Sequence, residues 1–72
     1  MIQGVIVRVN NFVVKIDRGY IQYSEYYNET KTTEYGVVDD VKYAKKYSRE
    51  NANRIIRNFK SKGLYAEKIE VK

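Results

Sequence analysis

Residues 48–63, SRENANRIIRNFKSKG, decide the fold. Ala52, Ile55, Ile56 and Phe59 recur at i, i+3, i+4 and i+7, which puts all four on one stripe of an α-helix and predicts that the stripe packs on a sheet. Ser48 suits the N-cap, and Glu50 falls in the first turn, where the helix dipole favours an acid. Lys60 and Lys62 suit the last turn, and Gly63 suits the C′ position, which takes a positive φ. The spacing predicts one main helix over residues 49–62 or close to it. The same stretch carries five Lys or Arg side chains, so the helix that closes the core also carries much of the charge.

Outward from that helix the period changes to two. In GVIVRVNNFVVKI, residues 4–16, Val5, Val7 and Val9 share a face, and Phe12, Val14 and Ile16 do the same beyond Asn10-Asn11, a pair suited to a hairpin turn. DRGY at 17–20 reads as a second turn with Gly19 supplying a positive φ, YIQYSEYY as a strand, NETK at 28–31 as a third turn and TTEYGVV as a fourth strand. DDVKYAKKY, 39–47, holds one or two helical turns capped by Asp39 or Asp40, with Val41 and Ala44 on one face. LYAEKIEV closes the chain with a strand in which Ile69 and Val71 alternate and which pairs with the others. The predicted class is α+β: an antiparallel β-meander of four to five strands with the main helix packed on one face and a C-terminal strand, in a single domain over 1–72.

The chain of 72 residues has no Cys, His or Pro. Disulfides and Cys/His zinc sites are therefore excluded, and so is the histidine base that Ser nucleophiles recruit. The four glycines, Gly4, Gly19, Gly36 and Gly63, make neither a phosphate-cradling loop nor a dinucleotide fingerprint. Asp39 and Asp40 read as a helix cap rather than as metal ligands. The expectation is a protein that is not an enzyme, with no cofactor, metal or small-molecule substrate. No apolar run is long enough to span a membrane, and Ile2 to Val9, interrupted by Gln3, Gly4 and Arg8, does not read as a signal peptide, so a cytoplasmic protein is expected. A domain this short buries little of its surface and must rely on good packing or self-association.

The net charge of +5 is unevenly placed. Residues 1–40 carry four Lys or Arg against six Asp or Glu, a net −2, whereas residues 41–72 carry ten against three, a net +7. On a helical wheel with Arg49 at zero, Lys60 falls near about 20°, Asn53 about 40° and Arg57 about 80°, while the apolar stripe spans about 240–340°. Arg49, Asn53, Arg57 and Lys60 thus make one ridge on a flank of the solvent face, with Arg54 further round. Such a ridge suits phosphates, and it is also where a soluble helix ordinarily carries its charge. The second feature is the eight tyrosines. Tyr23 and Tyr27 share strand parity, as do Tyr20 and Tyr26, so both faces of that strand are predicted to carry rings, one of them outward or toward a partner. Exposed rings stack bases or anchor protein interfaces, and buried ones are large β-formers.

Taken together, FVVKIDRGYIQY, then VDDVKYAKKYSRENANRII with Asp40, Ala44, Lys45 and Tyr47 ahead of a capped helix containing Ala52, then AEKIEV, the chain resembles small uncharacterised phage-encoded proteins of staphylococci and related Gram-positive bacteria over residues 12–71. It departs from them by an extra amino-terminal strand and the long turn at 28–31. The resemblance implies a ββαβ-type fold and a phage accessory role, and it implies no catalytic residues. High Lys, Asn, Ile and Tyr usage also fits an AT-rich genome, which competes with a functional reading of the tyrosines. The leading expectation is a non-enzymatic binding module that docks on a host macromolecule, a protein before a nucleic acid, as an inhibitor of host defence or replication. The alternatives are direct nucleic-acid binding through Arg49, Asn53, Arg54, Arg57 and Lys60 with Tyr20, Tyr23, Tyr26 and Tyr27 stacking, and a structural homodimer or larger assembly.

Overall fold

The computed structural model describes Gly4 and residues 10–71. Strand β1 is Phe12–Ile16, β2 Gly19–Tyr27, β3 Thr32–Val38 and β4 Ala66–Glu70, with a helix α1 at Arg49–Ser61. All pairings are antiparallel and the order is β3-β2-β1-β4, so the closing strand docks beside β1 and the described residues form a four-stranded α+β sheet. The expected strand through Val5, Val7 and Val9, and with it the hairpin at Asn10-Asn11, lies outside the described residues.

Local chemistry explains each joint. Ile16 pairs with Gly19, leaving Asp17 and Arg18 as the turn, and Gly19 has φ +144°. A Cβ at Gly19 would overlap the carbonyl oxygen of Val38, so both the dihedral and the packing require glycine there. Asp40 caps a single 3-10 turn at Val41–Tyr43, its Oδ1 accepting from the Lys42 amide at 3.0 Å, where one or two helical turns were expected. Ser48 is the N-cap of α1, its Oγ accepting from the Asn51 amide at 3.2 Å, and Gly63 follows Lys62 with φ +73°.

The core lies between α1 and one face of the sheet. Phe12, Val14 and Ile16 from β1, Ile21 from β2 and Ala66 from β4 meet Ala52 and Ile55, and Ile56 and Phe59 pack at the margin. The predicted stripe is therefore the one turned inward. Val14, Ile21 and Ala52 have no exposed surface, and burying a side chain the size of Ile21 contributes about 1.5–3 kcal/mol. Ala52 is small enough to let the helix axis approach β1 and β4, the strands against which α1 packs most closely. That placement leaves the helix side of β2 and β3 only partly covered, with Tyr35 meeting Phe59 at a ring separation of 4.9 Å.

One irregularity changes which residues share a face. Ile21 pairs with Val37 but Tyr23 pairs with Gly36, so Gln22 is an extra residue in β2, a β-bulge. Tyr20, Tyr23 and Tyr27 pair with Val38, Gly36 and Thr32, the even positions of β3, whereas Tyr35 at an odd position packs under the helix. Tyr20, Tyr23 and Tyr27 therefore share the helix-free face, and Tyr26 lies alone on the helix side. This corrects the parity read from sequence, where strict alternation joined Tyr20 to Tyr26.

Candidate functional site

The segment between the 3-10 turn and α1 builds the site. Tyr47 exchanges backbone hydrogen bonds with Phe12 in an isolated antiparallel bridge, and the Lys45 amide donates to the Ile21 carbonyl at 3.1 Å, just before the bulge. The segment is held at both points. Tyr47 turns into the core at 6 % exposure, while Lys45 and Lys46 stay exposed. The Lys45 ammonium lies 5.4 Å from the centroid of the Tyr47 ring, which fixes the cation over the aromatic face.

Between this segment, α1 and the uncovered helix side of β2 and β3 is a cleft of ≈ 410 Å³. Lys45, Lys46 and Arg54 line it together with Ser24, Asn51 and Tyr47, and none of the described residues lining it is acidic. Ser48 also faces it, so the positive end of the helix dipole opens onto the same space. The Tyr47 hydroxyl is buried and, among the described residues, has no hydrogen-bond partner. Burial pushes this phenol above its ordinary value, and Ser24 beside it acts the opposite way without closing a bond of good geometry. Cations, a helix N-terminus and an unfilled donor converge with no carboxylate among the described residues of the lining. Chemically, the cleft suits an oxyanion.

The candidates named from sequence do not form one surface. Arg49 lies 5.4 Å over the Phe12 ring, and Asn53 accepts from the Lys68 ammonium at 2.8 Å, so both turn to the β1–β4 flank and are engaged within the chain. Arg57 and Lys60 are exposed on the back of the helix. Arg54, set apart from the ridge on the helical wheel, is the one that reaches the cleft.

Three of the candidate tyrosines, Tyr20, Tyr23 and Tyr27, are separated from these cations by the thickness of the sheet. On the helix-free face Tyr23 donates to Glu34 at 3.2 Å and Tyr27 to Glu25 at 3.1 Å, and these bonds raise both phenols above the ordinary tyrosine value. Glu25 and Glu34 stand directly opposite each other, a like-charge pair that the two phenol donors relieve. Tyr20 carries the Lys15 ammonium 5.7 Å above its ring. The Tyr23 ring also covers Gly36, where any Cβ would collide with it. Tyr26, on the helix side, is 55 % exposed.

Sequence reasoning missed Lys45, Lys46, Tyr47 and Ser24 as parts of a site. The signal available was the KK pair just ahead of the N-cap, absorbed instead into a predicted helical turn. Burial of Tyr47 depends on its bridge to Phe12, a contact far apart in sequence that no local pattern shows. Among the described residues no helix is long and apolar enough to cross a membrane. No family model, curated protein or solved structure matches the chain.

Proposed function

We propose that this protein is a non-enzymatic binding module that holds a nucleic-acid backbone on its helix-bearing side. The observation that carries the reading is the cleft lined by Lys45, Lys46 and Arg54 with no acidic residue among its described lining, while Glu25 and Glu34 lie on the other side of the sheet. Three cations on phosphates give a fall of log affinity against log salt with slope about −2 for a single strand. Binding of a fluorescent single-stranded oligonucleotide across a salt series tests it. Arg54→Glu is expected to weaken binding more than Arg49→Glu, because only Arg54 faces the cleft. A salt-independent affinity, or equal effects of the two reversals, contradicts the reading.

A second reading rests on the bulge at Gln22, which gathers the half-buried Tyr20 with the exposed Tyr23 and Tyr27 on one face suited to docking a protein. In that case Tyr27→Ala abolishes capture of the partner and leaves oligonucleotide binding unchanged. Under either reading the molecule fits a phage accessory role in which the target belongs to the host. Assembly into a homodimer through the tyrosine face is the structural version of the second reading, and it predicts melting that shifts with protein concentration.

A further inference from the structure

The donors and cations gathered around the cleft say which kind of phosphate it takes. Lys45, Lys46 and Arg54 stand around it with Asn51 and Ser48 at the N-terminus of α1, and Tyr47 lines it with its hydroxyl buried beside Ser24. An internal phosphodiester carries one charge and leaves through two ester oxygens, so it runs along a groove and does not point into one. A phosphomonoester carries close to two charges at neutral pH and has three oxygens with no substituent. The second therefore offers one more free oxygen and about one more charge to donors and cations gathered in one place. Ser24, the neighbour of the buried Tyr47 hydroxyl, must move aside for a ligand to reach it.

We propose that the cleft is a phosphomonoester site, in which Lys45, Lys46 and Arg54 neutralise the dianion while the Tyr47 and Ser24 hydroxyls and the Asn51 side-chain Nδ2 donate to its terminal oxygens. The inference deepens the nucleic-acid reading of the same cleft and rests on it for the identity of the macromolecule. The phosphate has two sources with one chemistry: the phosphorylated end of a strand, or a free mononucleotide. A volume of ≈ 410 Å³ falls within the roughly 300–1,000 Å³ of small-ligand sites and admits a phosphate with its sugar.

The test measures binding by the full chain of one short single-stranded oligonucleotide in end-phosphorylated and hydroxyl-ended forms, together with a nucleoside monophosphate and inorganic phosphate. Hydrogen bonds to a charged group contribute about 1.5–3 kcal/mol, so the end-phosphorylated strand is expected to bind at least about tenfold tighter. Tyr47→Phe and, independently, the exposed Ser24→Ala are expected to remove most of that difference while the hydroxyl-ended strand keeps its affinity within a few fold, whereas Arg54→Ala weakens both forms. Equal affinity for the two strands overturns the phosphomonoester site and leaves backbone binding standing. A monophosphate that binds as tightly as the phosphorylated strand, with no oligonucleotide bound in the hydroxyl form, supports the site, names the free nucleotide as its source and overturns the backbone reading. Absence of binding by every probe overturns both.

Discussion

Tyr47→Phe tests whether the buried phenol beside the cleft lacks a partner in the free protein, because it separates stability from binding. The substitution removes one oxygen and keeps the ring, which pairs with the core at 6 % exposure. A buried hydroxyl without a partner costs about 1–3 kcal/mol relative to an apolar group of the same shape. Ser24 lies close enough to recover part of this, so the gain on removal belongs near the lower end, about 1 kcal/mol. For a domain of this size that raises Tm by about 4–8 °C. Total stability is only roughly 4–11 kcal/mol for 72 residues, so the change is easily measured. The assay is thermal melting with a urea titration at fixed protein concentration, where the midpoint should rise with no change in slope. The pH dependence carries the same information. Burial raises the Tyr47 phenol in the folded state, so the neutral form contributes stability in full below the unfolded value of about 10 and loses it as pH rises through the higher folded value. Tyr47→Phe should therefore resist alkaline unfolding better than the parent. A fall in Tm of several degrees refutes the reasoning, since it means that the hydroxyl already has a bond worth more than its burial costs.

Three further outcomes are expected. Ser48→Ala removes the acceptor for the Asn51 amide and should lower stability by about 1 kcal/mol, read as a drop in Tm and in helical signal by circular dichroism; an unchanged Tm argues against the cap. Glu34→Ala removes both the bond and the charge that raise Tyr23, so in an ultraviolet titration one tyrosine should ionise at lower pH, whereas an unaltered curve places the Tyr23 bond elsewhere. Gly19→Ala forces a Cβ at φ +144° against the Val38 carbonyl and should destabilise by about 1 kcal/mol or more; a neutral result denies the tight β1–β2 turn.

How far the sequence could be read depended on how local each cause is. The helix with its Ser48 cap, Gly63 stop and inward stripe of Ala52, Ile55, Ile56 and Phe59 is specified by neighbours within a few residues, and the structure has it as read. The strand segments were legible for the same reason, and so was the Asp40 cap. The tyrosine faces were not, because a bulge has no pattern of its own and one extra residue at Gln22 reverses every later side chain in β2. The helical ridge was drawn correctly as a wheel, yet the wheel cannot say which flank meets β4 and which borders open space. That depends on where α1 crosses the sheet, and it decides that Asn53 binds Lys68 while Arg54 meets the cleft. The cleft itself joins Ser24, Tyr47 and Arg54, and their meeting follows from the bridge of Tyr47 to Phe12.

The central claim is that anions are held on the helix side, around residues 45–54, and nowhere on the tyrosine face. Amide chemical-shift mapping with an end-phosphorylated single-stranded oligonucleotide at low salt tests this residue by residue. The expected result is shifts concentrated at Lys45, Lys46, Tyr47, Asn51 and Arg54, which fade as salt is added, with Tyr23, Glu25 and Tyr27 unmoved. Shifts centred on Tyr20, Tyr23 and Tyr27, or spread evenly over the exposed lysines and arginines, contradict it.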